Sequence, residues 1–222
     1  VEKGLKATKR LGLLGASVTQ HPQFGDLLHW LAQDRFDDLR VSVSSVRAAT
    51  VTPKLAAVLA GRGSKSLTIA IESGSERMRR VVNKKLSGEE IEAAARHAKQ
   101  GGLKALKLYG MVGLPCEDND DVESTAALLL SLKKGTPGLR FTLGVSTFVP
   151  KAHTPFQWQG VRPEAEKRLK LLAKRLKPKG IDLRPESYGW SVIQALLSRS
   201  DRRLAPVIAA VRGSQESLGG WK

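Results

Sequence analysis

Two short polar stretches stand directly after apolar segments and carry groups that could bind a ligand. Glu72 follows the apolar residues 67–71, and its carboxylate could accept hydrogen bonds from a hydroxyl or an amine. Gly113 follows residues 105–112, and a glycine there lets the backbone come close to a flat ligand on which Met111 could pack. The simpler alternatives are a carboxylate bonded to backbone N–H groups and an ordinary tight turn.

A third polar group ends the alternating segment 39–46 and contains Ser45 and Arg47. A guanidinium at such a position could bind a carboxylate through two parallel hydrogen bonds. The alternative is an ion pair within the protein, for instance between Arg47 and Glu72. The residue types alone leave both interpretations open.

Strands that end at one edge of a sheet are needed to bring these groups together. Apolar or alternating segments predict five strands, at residues 11–18, 39–46, 67–71, 105–112 and 140–149. Strands that alternate with helices indicate an α/β fold with a parallel sheet, and sequential right-handed crossovers would curl it into a partial (βα) barrel. Polar groups after the strands of such a barrel form its site. A flat doubly wound sheet is the alternative, although the sequence has no glycine-rich phosphate-binding pattern.

The pattern changes after the fifth predicted strand, which divides the chain into a partial barrel (1–160) and a basic C-terminal helical extension (161–222). Helices are expected at residues 163–177, 190–198 and 204–212. Residues 151–184 contain ten Lys or Arg and three Asp or Glu, a large share of the net charge of +16. This concentration makes the region a candidate contact for RNA or another anionic partner, whereas a solvated surface is the simpler explanation.

The composition excludes several classes of protein. No apolar run approaches about 18 residues, so we expect no membrane partner. The single Cys116 excludes an internal disulfide and a [4Fe–4S] cluster held by this chain alone, and the four histidines have no metal-ligand spacing. Low cysteine content fits a cytoplasmic protein.

The loop at residues 149–158 combines a lysine, a histidine and two aromatic residues. Single-stranded nucleic acid can bind such a surface through stacking and charge. The alternative, which the sequence favours, is that Phe156 and Trp158 pack across the mouth of the barrel.

Five stretches in order resemble the radical S-adenosylmethionine (radical SAM) superfamily, and more narrowly its branch in which a cobalamin-binding domain often precedes the barrel. They are VSVSSVRAATVTPKLAAVLA, LTIAIESGSERMRRVVNKKLS, LKLYGMVGLPCEDNDDVEST, STFVPKAHTPFQW and IQALLSRSDRRLAPVI. The resemblance extends from about residue 11 to residue 208. It implies a radical SAM TIM-like barrel, S-adenosylmethionine as cofactor, a [4Fe–4S] cluster, and cleavage of S-adenosylmethionine to a deoxyadenosyl radical that acts on substrate.

The resemblance also implies roles for seven cofactor-binding residues. They are Glu72 and Ser73 at the ribose, Ser45 and Arg47 near the carboxylate of S-adenosylmethionine, and Met111, Gly113 and Val149 around the adenine. No catalytic residue and no metal ligand is assigned on this chain.

Two departures from the family pattern limit what the chain can do alone. The CxxxCxxC motif that holds the cluster is absent, and Gly15-Ala16-Ser17 stands where the family has a glycine–glycine–glutamate motif. We therefore expect the C-terminal portion of a radical SAM enzyme, inactive by itself and partnered by an upstream remainder. The alternative is a cluster-free basic module that binds RNA or a protein.

Overall fold

A computed structural model describes residues 2–211 and 217–221. It contains six short strands, each followed along the chain by helical structure. The strands are β1 (Arg10–Leu13), β2 (Arg40–Val43), β3 (Ser66–Glu72), β4 (Ala105–Val112), β5 (Arg140–Thr147) and β6 (Asp182–Pro185).

The helices vary from a single turn to more than four turns. They are α1 (Glu2–Leu5), α2 (Phe24–Leu31), α3 (Pro53–Gly61), α4 (Glu76–Val81), α5 (Gly88–Gln100), α6 (Asn119–Gly135), α7 (Glu164–Leu176), α8 (Tyr188–Arg199) and α9 (Ala205–Ala210). Short 3₁₀ helices lie at Val18–Gln20, Asp34–Phe36, Ala48–Thr50, Lys177–Lys179, Arg202–Leu204 and Leu218–Trp221. No helix in the described part of the chain is long and apolar enough to cross a membrane.

All six strands are parallel and follow one another in chain order. One sheet has the order β1-β2 and the other β3-β4-β5-β6. A single bridge from Val46 to Ile69 joins the two sheets, supported by the Val46 N–H donating to the Thr68 carbonyl at 3.0 Å. Among the described residues the sheet does not close on itself, so the fold is an open, partial (βα) barrel.

The core lies on one side of the sheet, between the strands and the helices. On β4, Leu106 and Leu108 are fully buried, whereas Lys107 and Tyr109 face the other side and are exposed. A doubly wound sheet would be covered on both faces. The one-sided burial therefore supports the barrel-like arrangement over that alternative and leaves a polar concave face open.

Local capping residues account for several helix ends. Thr52 caps α3 by accepting from the Leu55 N–H, and Ser87 and Glu90 form a capping box at the start of α5. The first strand is shorter than predicted because Leu13 is its last residue and Leu14 is exposed.

The C-terminal region contains a strand that the sequence did not reveal. β6 pairs with β5 and so continues the sheet beyond residue 161. The helices expected at 163–177 and 190–198 correspond to α7 and α8, and that at 204–212 to α9, although Arg212 lies outside the described residues. The division of the chain at residue 160 stays a prediction.

Candidate functional site

Glu72 ends β3 in an uncommon backbone conformation. Its φ is +63°, and the β3–β4 register shifts between Ala70 and Glu72. A non-glycine residue at positive φ is infrequent and often marks a functional turn. The Glu72 carboxylate accepts a hydrogen bond from Lys84 Nζ at 2.9 Å, so its cation is Lys84 and not Arg47.

The turn after α4 explains how Lys84 reaches this carboxylate. The helix ends at Val81, and Asn83 has a φ of +53°, a left-handed conformation that asparagine tolerates. The chain thereby reverses and brings Lys84 back to the end of β3. The side chains of Glu72 and Lys84 are 24% and 33% exposed, so water reaches the pair only in part.

Two clefts adjoin this ion pair and contain four of the predicted ligand residues between them. The larger, of 670 Å³, is lined by Ser45, Arg47 and Lys84 among others. The smaller, of 270 Å³, lies on the concave face of the sheet and is lined by Glu72 and Met111 among others. The Glu72–Lys84 pair thus connects the two clefts.

Arg47 contributes a cation to the larger cleft. It is the N-cap residue of the Ala48–Thr50 helix, and its side chain is exposed. It forms no ion pair with any other residue that the structure describes, so the internal ion pair considered from the sequence is not found there. Ser45 is exposed at the same cleft, and both side chains can reach a ligand.

Ser73, although next to Glu72, is buried. Its hydroxyl lies 3.4 Å from Thr125 Oγ1 and accepts the Ser75 N–H at 3.1 Å. The neighbouring Gly74 donates its N–H to Thr125 at 2.9 Å. The Ser73 side chain therefore fastens the loop to α6, and its predicted contact with ribose stays a prediction.

A buried arginine that the sequence analysis did not single out fixes the same loop from beneath. Arg79 donates to the carbonyls of Ser73, Gly74 and Leu86 at 2.8–3.0 Å. Desolvation lowers the pKa of its guanidinium, and the charge of Glu76 opposes that shift. Arg79 thus holds the backbone that follows Glu72 in place. No sequence pattern predicts that one arginine donates to three carbonyls.

Gly113 serves packing in this structure. Its φ is +79°, and a Cβ at this position would lie 2.9 Å from the Cβ of Ala165 on α7. Its N–H donates to Glu117 Oε2 at 2.6 Å. Val149, two residues beyond the end of β5, is half-buried. Neither residue lines the two clefts described above, and their adenine contacts stay predictions.

Glu117 is a buried carboxylate that directly precedes the N-cap residue of α6. The cap is Asp118, which forms a capping box with Asp121. Glu117 instead binds the buried Arg168 of α7 at 2.9 Å. Burial raises the pKa of Glu117 to about 7, although the Gly113 N–H and Arg168 both oppose the shift.

The residues described here do not fit an iron–sulfur cluster. The sequence has one cysteine, and Cys116 is exposed with its carbonyl bonded to Arg77. No group of three or more His, Cys, Asp or Glu is placed to hold a metal ion within the described ranges. A [4Fe–4S] cluster needs several thiolates, so this chain alone does not supply them.

Comparison with known proteins identifies a matching family, and the similar proteins include the following two. The model of the radical SAM superfamily matches residues 1–129. An uncharacterised protein of Methanocaldococcus jannaschii is 33% identical over 208 residues, which are 92% of this chain and 45% of the relative. The chain thus spans about half the length of that relative. Coproporphyrinogen III oxidase from Escherichia coli, a radical SAM enzyme, matches with a TM-score of 0.47 at 17% identity, covering 92% of this chain and 41% of its own.

Proposed function

This chain belongs to the radical SAM superfamily, and from that premise we propose that it is the S-adenosylmethionine-binding part of an enzyme that modifies its substrate through a deoxyadenosyl radical. The observation that carries the proposal is the Glu72–Lys84 pair, which stands between two clefts lined by Ser45, Arg47 and Met111. When bound, S-adenosylmethionine supplies the radical chemistry of the family.

The chain's own groups suit the parts of that cofactor. Arg47 has a guanidinium without a described ion partner and can bind the carboxylate of the methionine moiety through two hydrogen bonds. Glu72, held by Lys84, can accept hydrogen bonds from ribose hydroxyls. Met111, in the adjacent cleft, offers an apolar and polarizable side chain against which adenine can pack.

The amino group of the cofactor has no carboxylate in the expected segment. Ala16 lines the larger cleft, and the Gly15 carbonyl accepts a hydrogen bond from Ser44 Oγ at 3.2 Å. The segment that resembles the glycine–glycine–glutamate motif therefore reaches the cleft without its acidic residue. We assign no residue to that contact.

The cluster ligands of the proposed enzyme lie outside these 222 residues, because the sequence has a single cysteine. We propose that the isolated chain binds the cofactor but does not cleave it, and that the upstream remainder of the parent protein is its partner. An upstream cobalamin-binding domain and a cytoplasmic location stay predictions, because the family match names the radical SAM superfamily alone.

Binding of S-adenosylhomocysteine, a stable analogue of S-adenosylmethionine that lacks the sulfonium methyl group, tests the proposal without a cluster. Calorimetric titration of this chain should give saturable binding, which Glu72→Gln weakens about 10-fold or more through loss of charge-assisted hydrogen bonds. Glu76→Gln is the matched control, because Glu76 is exposed on α4 and pairs with Arg80 at 3.4 Å. Absence of binding, or equal losses in both variants, would contradict the proposal.

The parent protein provides the second test. After anaerobic reconstitution with iron and sulfide it should show the visible absorbance of a [4Fe–4S] cluster. With dithionite added as the electron donor, it should produce deoxyadenosine and methionine from S-adenosylmethionine. A parent sequence without a CxxxCxxC motif would refute the enzyme proposal and favour the cluster-free binding module.

A further inference from the structure

The loop between β5 and α7 places one of its three aromatic residues in solvent. Phe156 packs edge-on against Phe148, with ring centroids 6.0 Å apart. Trp158, two residues later, is 83% exposed. The sequence favoured packing of both rings across the mouth of the barrel. This is wrong for the exposed Trp158, and for Phe156 the structure shows the contact with Phe148. An indole left this far in water is unusual for a residue that normally buries a large area.

The loop that presents Trp158 is held in place by α8. Lys151 Nζ donates to Ser198 Oγ at 3.0 Å, and Arg199 Nη1 donates to the carbonyl of Gln159 at 2.8 Å. Within the loop, Thr154 Oγ1 donates to the Lys151 carbonyl at 2.7 Å. These bonds hold both ends of the loop against α8 and so position the backbone on either side of Trp158.

Three cations belong to this loop or contact its backbone, and they form no ion pair with another described residue. Arg199 contacts Gln159, the neighbour of Trp158, and Arg162 lies four residues along the chain. Lys151 completes the set, and all three side chains belong to exposed residues. In contrast, Arg175 on α7 forms an ion pair with Glu123. The charges near the loop are therefore available to an anionic ligand.

The loop also lies at the same edge of the sheet as the candidate site. Its first residue continues the ladder beyond β5, where the Phe148 N–H donates to the Val112 carbonyl at 2.8 Å. Val112 ends β4, one residue after Met111, which lines the smaller cleft. A chain bound along this loop would therefore pass close to the mouth of that cleft.

We propose that Trp158, with Lys151, Arg162 and Arg199, forms a binding surface for single-stranded nucleic acid. A base would stack on the exposed indole, and the cations would contact the adjoining phosphates. That the bound strand is the substrate of the radical reaction would rest on the proposed function. The binding of the strand does not depend on it. An acidic protein is the competing class of partner. A protein interface usually has an extended apolar core, whereas a single exposed ring with cations nearby suits the stacking of one base.

Binding of short oligonucleotides by this chain tests the surface. The probes are fluorescently labelled, unstructured strands of about 12 nucleotides, in separate ribo- and deoxyribonucleotide arms. Affinity should fall steeply with salt, and Arg162→Ala should reduce the salt slope by about 1. Preference for one arm identifies RNA or DNA as the ligand, and equal affinity identifies any single strand.

Substitution of the ring separates stacking from general attraction. Trp158→Ala should weaken binding about 10-fold or more, and Trp158→Phe should retain most of it, because each exposed ring offers a stacking face. Trp190→Ala is the matched control, since Trp190 is also exposed (43%) but lies on α8 among apolar residues. Equal binding by the Trp158→Ala variant, a salt-independent affinity, or equal competition by polyglutamate would overturn the proposal.

The same samples distinguish this inference from the proposed function. Trp158→Ala should bind S-adenosylhomocysteine like the unmodified chain, because Trp158 does not line the two clefts. Oligonucleotide binding without S-adenosylhomocysteine binding would refute the cofactor proposal and leave the nucleic-acid surface standing. The reverse result would refute the surface alone.

Discussion

Arg168 Nη1 lies 2.9 Å from Glu117 Oε2, and the two side chains are only 9% and 2% exposed. A second bond, from Arg168 Nη2 to the Glu117 carbonyl, measures 2.6 Å. Glu117 Oε2, the carboxylate oxygen that Arg168 contacts, also accepts the Gly113 N–H. One buried pair therefore connects α7 to the loop after β4, at the edge of the sheet where the candidate site lies.

Replacement of Arg168 by methionine should destabilise the fold most at alkaline pH. A buried carboxylate without its cation costs about 3–5 kcal/mol, because the desolvated charge then keeps only the Gly113 N–H as a partner. Urea unfolding measures the loss. The double variant Arg168→Met with Glu117→Gln should recover part of it, since neither position of the pair then carries a charge.

The exposed pair of Arg175 and Glu123 is the control for this experiment. Arg175 donates to both carboxylate oxygens, but its side chain is 54% exposed. Its removal should cost about 1 kcal/mol or less. Equal decreases in the free energy of unfolding from both arginine substitutions would show that the buried pair stabilises the fold no more than the exposed pair does.

Glu117 should also give the protein a measurable dependence of stability on pH. Its pKa is raised from 4.5 to about 7, with burial as the largest cause. The folded state then binds the proton more tightly than the unfolded state, so the contribution of Glu117 is full below pH 4.5. It is lost as the pH rises through the window up to about 7, at about 1.4 kcal/mol per pKa unit. Asp121 adds to the upward shift, and Arg168 opposes it.

Glu117→Gln isolates this effect from every other titrating group. The difference in unfolding free energy between the unmodified chain and the variant should change between pH 4.5 and about 7 and level off above that range. A difference that stays constant across the window would show that the carboxylate titrates normally.

Five of the six strands of the described structure could be predicted from sequence, and the short strand β6 was missed. β4 and β5 each have eight residues with one buried face, which gives a clear period of two. β6 has four residues, of which only Leu183 is buried, so no period can be recognised. Its pairing with β5 depends on tertiary contact.

The same limit applies to the candidate site. A residue that adjoins a recognisable strand could be predicted, whereas its partners distant in sequence could not. Glu72 was predicted because it directly follows an apolar strand. Its partner Lys84 is 12 residues away, and the left-handed turn at Asn83 brings it to Glu72. The pattern of apolar residues does not predict this turn. The Glu117–Arg168 pair joins residues 51 apart across α6, and nothing in either local sequence signals the contact.

Gly74 should tolerate no side chain. A Cβ there would lie 2.3 Å from the Cα of Thr125 and 2.9 Å from the Ser124 carbonyl, both backbone atoms that cannot swing aside. Gly74→Ala should therefore cost about 1–3 kcal/mol through overpacking and displace the loop after Glu72. Thermal or urea unfolding checks this value. Gly25→Ala is the control, because Gly25 lies within α2 with nothing near its Cβ position and should gain up to about 1 kcal/mol.

Lys84 should act on the cofactor through Glu72 as a positioning residue. In Lys84→Met the carboxylate loses its 2.9 Å bond, so S-adenosylhomocysteine should bind about 10-fold more weakly in a calorimetric titration. Lys84→Arg should restore part of the affinity, because a guanidinium can still pair with the carboxylate.

The double variant Lys84→Met with Glu72→Gln tests whether the two residues act together. The loss of binding free energy in the double variant should be smaller than the sum of the two single losses, since both substitutions remove the same interaction. Arg80→Met is the control, because Arg80 pairs with Glu76 on the exposed face of α4 and should leave the affinity unchanged. Additive losses would show that Lys84 meets the ligand independently and does not act by orienting Glu72.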